Sequence, residues 1–596
     1  MRERSIYNDA QSLSSRRLKV LFLCLGIIFL CLFLRLGYWQ ILKASQLQAA
    51  ANAQYSREIT TTGQRGRIFS SDEYLLVGNQ TVYQLVAEPF RLTQTPEAVA
   101  TQLLPLILAD PFVSHQINGA SPLAVPATQL FTDLVAKMSQ SDAKWTPLLP
   151  IISAETQSQI KALNVSGIQF ESKNIRTYPE ASMAAQLTGF LGKDNQGEPI
   201  GYFGVEGGLN RELQAQSNLQ VVQADALGWY FSHDTKTPLV QDGRDVVLTI
   251  RRDIQHLAET YLQQGIEKYG AKSGEVIILE PSTGKILAMA GWPSFDPYYY
   301  TEADPESYKN ASLTSVYEPG STFKTLTVAA GIDAGVITPE TTCPKCGGPR
   351  VIDKYTIRTW NDQYNPDITM REALAKSDNT AMIYITERLG NENFIKYLQD
   401  FGLGKKLNIE LQGDTDTPFP EKWGQVELAT RSFGQGINMT SLQLVRATSA
   451  IANQGVMMKP QIIEKVIDPV TQSEIEIKPQ VEAAVLKPST ALAVSEMMVY
   501  AAQKGEAQWI SSPDHVIAGK TGTSQIASQG SYDPDKTVAS FIGFSPPENP
   551  KFIMLVKLVE PESSIWAAET AAPLWYQIAQ RLFLLLNIPP DKATSN

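Results

Sequence analysis

From Val20 to Leu34 the chain runs fifteen residues without a charged side chain, and Leu36, Gly37, Tyr38 and Trp39 extend the apolar block to about 20 positions, enough for a helix to cross a ~30 Å hydrocarbon core. No other feature constrains the fold as strongly. Arg35 lies near one end of the block, where its stem can follow the helix while the guanidinium reaches the interface, and Tyr38 with Trp39 supply an aromatic belt. The first 19 residues carry Arg2, Arg4, Arg16, Arg17 and Lys19 against Glu3 and Asp9. The positive-inside rule then predicts a cytoplasmic tail over 1–17, an anchor helix over 18–40 and an extracytoplasmic body beyond. A cleaved signal peptide fits less well, because the run is long for an h-region and no small-x-small pattern directly precedes Tyr38.

At 596 residues the chain is too long for one small core, and 43% hydrophobic with 19% charged residues is globular composition. The 51 Lys+Arg against 61 Asp+Glu give a net charge of −10. With no basic run beyond the first residues, the electrostatic footprint for phosphates is missing, so no nucleic-acid partner is expected. Cys24 and Cys31 fall inside the apolar block, where a thiol packs as a small hydrophobe. Cys343 and Cys346 form a single CxxC with no second pair. A local disulfide outside the cell is the first reading, a metal half-site shared with another ligand the second, and a redox motif the third.

Residues 41–244 mix short strand-like runs such as Tyr83–Ala87 with helical stretches near 96–110 and 125–139, and show no catalytic spacing. They read as a spacer or scaffold domain. A turn at Gln241-Asp242-Gly243 opens a second domain over 245–590, beginning with a β-branched run, Asp245–Ile250, and a helical pattern through Gln255, Leu257, Tyr261 and Ile266. Val276–Leu279 and Lys285–Ala290 flank a Pro-Ser-Thr-Gly turn as a hairpin. Val538–Phe544 and Phe552–Val559 form another strand pair, followed by an amphipathic helix near Ala571–Leu586. The domain is expected to be a mostly antiparallel sheet with helices packed on it.

Three short motifs stand in one order. Ser321-Thr322-Phe323-Lys324 follows Glu318-Pro319-Gly320 and precedes a helical apolar pattern, which places Ser321 at a helix N-terminus with Lys324 one turn on. Hydroxyl and amine are then expected to touch, and a desolvated lysine can take the proton of a serine nucleophile. The tetrapeptide alone is weak, since Ser141–Lys144 and Ser158–Lys161 match it too. Ser377-Asp378-Asn379 follows in a helix-to-loop region, then Lys520-Thr521-Gly522-Thr523 on a strand whose glycine lets a ligand backbone approach. SxxK, SDN and KTG in this order are the motif set of class A β-lactamases and penicillin-binding proteins.

With these motifs the chain resembles a class B high-molecular-weight penicillin-binding protein, a monofunctional peptidoglycan D,D-transpeptidase. Arg65-Gly66-Arg67-Ile68, Arg176-Thr177-Tyr178-Pro179 and Gly204-Val205-Glu206-Gly207 resemble the family's pedestal motifs, and Gly434-Gln435-Gly436-Ile437 is also family-like. Ser70-Ser71-Asp72-Glu73 departs from the Asp-Arg-Asn-Gly turn usual in relatives. The resemblance implies an α/β (α+β) architecture: a transmembrane helix, an elongated non-catalytic pedestal of dimerisation type, and a serine β-lactamase-like penicillin-binding domain. It implies that Ser321 attacks the bond between the terminal D-alanines of a stem peptide with Lys324 as base, forming an acyl-enzyme. Ser377 then relays a proton, Asn379 bonds Lys324 and the substrate, and Lys520, Thr521, Gly522 and Thr523 receive the terminal carboxylate. The backbone N–H groups of Ser321 and Thr523 form the oxyanion hole. No metal or organic cofactor is implied.

The implied partners are stem peptides, β-lactams as covalent inhibitors, the membrane through 18–40, and a membrane-embedded SEDS-family glycosyltransferase with other cell-wall synthesis proteins. Residues 41–245 show no glycosyltransferase pattern of their own. Chain length, the Gly-Val-Glu-Gly pattern and the lack of a large head insertion favour septal synthesis, with side-wall elongation as the alternative. A β-lactamase would need a Glu-x-x-Leu-Asn stretch between Asn379 and Lys520, and a β-lactam sensor an HExxH motif; neither is present. The expected setting is single-pass in the plasma membrane, with the N-terminus cytoplasmic.

Overall fold

The computed structural model describes residues 3–117, 126–224, 230–231, 241–420, 422–510, 512–528 and 531–591. Position 125 of the second expected helix lies outside them. The chain divides into two units, Met1–Gly63 with Ala215–Gln241, and Gln64–Gln214 with Asp242–Asn596.

In the first unit a helix over Glu3–Gly37 continues through a π-helical turn, Tyr38–Leu42, into a helix over Ala44–Tyr55. Arg17–Leu42 has a mean hydropathy of 2.7 and is not buried among the described residues, which suits a lipid-facing segment. Ser56–Thr62 then pairs antiparallel with Ser217–Ala224.

The second unit holds two large sheets. Its five-stranded sheet is built from β1 (Ser273–Leu279), β2 (Ile286–Trp292), β3 (Ala518–Ser528), β4 (Ser531–Ser545) and β5 (Phe552–Val559), in the spatial order β2-β1-β5-β4-β3 and antiparallel throughout. Both expected strand pairs are present. Successive residues point to opposite faces, and here both faces are covered. Val276, Ile278, Met554 and Val556 join one core with helices α1 (Arg252–Tyr269) and α4 (Ala571–Leu585). Ile277, Leu279, Ile553 and Leu555 join the other, with α2 (Lys324–Asp333), α3 (Asn379–Leu389) and the wholly buried helix Ser441–Ala452. Burial on both sides is why these strands read as unbroken apolar runs.

A seven-stranded sheet spans residue 245. Asp245–Leu248 pairs in parallel with Ile68–Phe69 on one side and antiparallel with Ile463–Ile467 on the other. The expected helices over 96–110 and 125–139 form as Pro96–Ala109 and Ala127–Met138. The three pedestal motifs converge on one buried carboxylate. Glu206 is fully enclosed and accepts Arg65 Nη2 at 2.5 Å and Arg176 Nε at 2.7 Å, while Asn79 ties both arginines, taking Arg176 Nη1 on Oδ1 and donating to Arg65 O. Arg67 pairs with Asp245. The departing segment Ser70–Glu73 still makes a tight turn, closed by Ser70 N to Tyr74 O at 2.9 Å, with Glu73 in the left-handed region at φ 64°. Cys343 and Cys346 are joined as a disulfide.

Candidate active site

The segment around Ser321 folds as a short 3-10 turn, Gly320–Phe323, running directly into α2. Gly320 adopts φ 56° and donates its N–H to Gly434 O at 3.1 Å, so the Gly434-Gln435-Gly436 loop holds the turn in place. Strand β3 packs flat against this turn because Gly522 has no side chain: a Cβ there would lie 2.7 Å from Thr322 Cγ2 and 3.0 Å from Pro319 O. The expected helix start at Ser321 is thus one turn of 3-10 helix, with Lys324 opening the α-helix.

The second motif is placed by two helix ends. Met370–Ala375 begins in a capping box formed by Thr369 and Glu372, and the chain reverses through Ser377 at φ 57°. Asp378 then caps α3, accepting Thr380 N at 2.7 Å and Ala381 N at 3.1 Å on one oxygen. Ser377 and Asn379, on either side of the cap, are left to face Lys324. Its Nζ donates to Ser377 O at 2.6 Å, Ser377 Oγ at 3.2 Å and Asn379 Oδ1 at 2.8 Å. All three ammonium donors are taken. This is why the expected contact between Lys324 and the Ser321 hydroxyl is absent: no hydrogen bond joins them among the described residues, and Ser321 is half-buried at the cleft.

The third motif lies on β3, the edge strand. Lys520 is buried and donates to Thr521 O and Oγ1, each at 3.0 Å, and Thr521 Oγ1 in turn donates to Glu506 Oε2 at 2.7 Å. Thr523 Oγ1 accepts Ala567 N at 3.1 Å. A cleft of about 220 Å³ brings Ser321, Ser377, Asn379 and Thr523 to one surface, with Glu506 and Trp566 on its walls. Lys324 and Lys520 lie buried, while Gly522 fixes how closely β3 approaches the serine turn. Trp360 and Trp566 meet edge to face across the cleft, 5.2 Å between ring centres. The two other SxxK matches, Ser141–Lys144 and Ser158–Lys161, have exposed serines and lysines that do not line this cleft.

Electrostatics set the lysines apart. Burial, then the neighbouring Lys520 ammonium, pulls Lys324 from 10.5 down to about 7, with Glu506 and Asp378 opposing. Burial lowers Lys520 too, again opposed by Glu506. A lysine near 7 is partly neutral at physiological pH and can accept a proton. Glu506, Trp360 and Trp566 escaped the sequence reading. They sit on loops with no motif spacing, and only the fold brings them beside Ser321.

The pattern described as the penicillin-binding protein transpeptidase domain matches residues 274–580, and that of the penicillin-binding protein dimerisation domain matches 60–248. The stage V sporulation protein D of Bacillus subtilis strain 168 is 31% identical, over 95% of this chain and 85% of its own length. The chain belongs to the class B penicillin-binding proteins. The peptidoglycan D,D-transpeptidase FtsI of Escherichia coli K12, another relative of this family, is 28% identical over 82% of each chain. Among solved structures, penicillin-binding protein 2X from Streptococcus thermophilus superposes with a TM-score of 0.72 at 20% identity, covering 89% of this chain and 81% of that one. Penicillin-binding protein 3 from Mycobacterium tuberculosis, complexed with aztreonam, gives 0.66 at 24% identity over 90% and 98%. These likenesses place the fold among penicillin-binding proteins.

Proposed function

We propose that the chain is a peptidoglycan D,D-transpeptidase working through an acyl-enzyme on Ser321. The observation that carries this reading is a buried Lys324, at about 7, anchored by Ser377 and Asn379, which line one cleft with Ser321. The serine proton passes to Lys324 as Oγ attacks the carbonyl between the two terminal D-alanines. The C–N bond then breaks, and the proton reaches the departing D-alanine amine through Ser377. An amine of a second stem peptide attacks the ester, forms the cross-link and frees Ser321. Lys324 must first release one of its three present hydrogen bonds, and the Ser377 Oγ contact at 3.2 Å is the longest.

The edge position of β3 suits a peptide substrate, because unpaired backbone groups on an edge can add an extended strand. Lys520, with Thr521, Gly522 and Thr523, provides the positive end that draws the terminal carboxylate. Residues 1–17 act as the cytoplasmic tail, 18–40 as the anchor, 41–244 as the pedestal and 245–590 as the catalytic domain, which the positive flank of the helix orients outside the cytoplasm. Septal synthesis with a SEDS-family polymerase is the role favoured by chain length, the Gly-Val-Glu-Gly pattern and the lack of a large head insertion in the sequence.

Fluorescent penicillin tests the chemistry on the full-length protein. Durable labelling that disappears in Ser321→Ala supports the reading; rapid release of label points to a hydrolase, and labelling that survives the substitution refutes Ser321. Depletion in the host separates the roles, since filaments indicate septal synthesis and rounded cells side-wall growth.

A further inference from the structure

The cleft presents a carboxylate beside the strand that is to receive one. Of Lys520, Thr521, Gly522 and Thr523, only Thr523 lines the cleft surface, whereas Glu506 lines it together with Ser321. Lys520 and Thr521 are buried, 2% and 5% exposed. The backbone on both sides of Glu506 is held. The helix Pro488–Lys504 ends at Gly505, whose N–H reaches Ala501 O at 2.9 Å and where a Cβ would lie 2.7 Å from Ala375 O; Ala507, on the other side, is buried. Glu506 itself is half-buried at the cleft wall.

The hydrogen bonds around it run in one direction. Lys520 Nζ donates to Thr521 Oγ1 at 3.0 Å, and Thr521 Oγ1 donates to Glu506 Oε2 at 2.7 Å. An ionised carboxylate only accepts and a hydroxyl has one proton, so the Thr521 proton is spent on Glu506. Thr523 differs. Its Oγ1 accepts Ala567 N at 3.1 Å, and its own proton has no acceptor among the described residues. A carboxylate arriving at β3 therefore finds one threonine ready to donate and the other already bonded to a carboxylate of the protein. It also meets a like charge, and like charges brought together at a binding surface are costly.

We propose that Glu506 is a specificity-determining residue that competes with the terminal carboxylate of the substrate for the Thr521 hydroxyl, so that the cleft admits a carboxylate only by displacing its own. The inference rests on the transpeptidase reading and deepens it. Binding then exchanges one charge-assisted hydrogen bond of Thr521 for another and gains little from it. The preference of the unaltered cleft for a carboxylate over a neutral ligand is held below what Lys520 and two free threonines would give.

Benzylpenicillin and its methyl ester, which differ in one negative charge, provide the test on the full-length protein. The second-order rate constant for acylation of Ser321 by each is followed by mass spectrometry, and the carboxylate-to-ester ratio is read. Glu506→Ala should raise that ratio about tenfold, the scale of one freed hydrogen bond to a charged group. Glu506→Gln, which keeps a weaker, neutral acceptor, should raise it less. Thr521→Val made on top of Glu506→Ala should return the ratio towards that of the unaltered protein, and made alone should lower it far less, a non-additivity that a merely structural role would not produce. Taking the ratio within each variant cancels any loss of folded protein and any change in Lys324, which affect both ligands alike. An unchanged ratio in Glu506→Ala overturns the proposal, as does an equal effect of Thr521→Val in both backgrounds. A ratio that falls overturns it too, since Glu506 would then serve the carboxylate by keeping Lys520 charged. In each of these cases labelling of the unaltered protein leaves the transpeptidase reading standing; failure of penicillin to label Ser321 there overturns both.

Discussion

The molecule buries charge in two places and treats it in opposite ways. Around Glu206 the cations are arginines in direct contact with a carboxylate, at 2.5 Å and 2.7 Å. At the candidate cleft the cations are lysines, and their hydrogen-bond partners are neutral oxygens: Ser377 O and Oγ with Asn379 Oδ1 for Lys324, Thr521 O and Oγ1 for Lys520. A guanidinium in contact with a carboxylate stays charged and holds chain segments together. An ammonium hydrogen-bonded only to neutral oxygens keeps its geometry yet remains free to lose its proton. Lys557, ion-paired with Glu275 on the same sheet, shows that this fold can pair a buried lysine directly. The unpaired state of Lys324 is therefore a feature of the cleft and not of burial.

The largest effect expected from this contrast is kinetic. Lys324→Met should slow acylation by fluorescent penicillin by roughly 10²- to 10⁴-fold, the range for a general base. Removing a desolvated ammonium should also leave the denaturation midpoint at or above that of the unaltered protein. A midpoint that falls sharply would mean Lys324 is structural, and the contrast fails. Glu206→Ala should behave the other way. It strands Arg65 and Arg176 in the interior, so chemical denaturation should show a loss of about 3–5 kcal/mol, while the protein that remains folded labels at a normal rate.

The pH dependence sharpens the same point. Lys324 is depressed from 10.5 to about 7, so between those values the unfolded chain binds a proton that the native state does not. Stability should rise with pH across that window, and below about 7, where both states are protonated, the destabilisation is complete. Measured as a difference, the stability advantage of Lys324→Met should be full below pH 7 and close as pH approaches 10.5. Acylation should climb through an inflection near 7. Lys520→Met removes a repelling charge and should move that inflection up; Glu506→Gln removes an opposing carboxylate and should move it down. Shifts of the same sign in both variants would show that the two side chains do not act on Lys324 through charge.

What could be read from the sequence follows from how local each cause is. The Ser321–Lys324 spacing, the double-sided apolar runs of β1 and β5, and the anchor helix are set within a few residues, and so they were legible. The partners of Lys324 were legible as motifs but not as geometry: spacing suggested a bond to Ser321, whereas the left-handed turn at Ser377 delivers oxygens that saturate the ammonium first. Glu506, Trp360 and Trp566 belong to the site only because loops distant in sequence meet at β3. Arg65, Arg176 and Glu206 were visible as separate motifs, and nothing along the chain says that they share one carboxylate.

The smallest predicted effect lies in the turn over residues 70–73. Glu73 holds φ 64° in the turn closed by Ser70 and Tyr74, and its side chain is exposed. A side chain in the left-handed region costs about 1–2 kcal/mol, whereas glycine carries roughly 0.5–1 kcal/mol of extra entropy from the unfolded chain. Glu73→Gly should thus stabilise the protein by about 0.5–1 kcal/mol. Glu73→Ala, which keeps the Cβ and discards the charge, is the control that separates backbone strain from the electrostatic pull of Glu73 on Lys465. If alanine stabilises as much as glycine, the charge and not the turn is responsible. If neither raises the denaturation midpoint, the turn tolerates glutamate without strain.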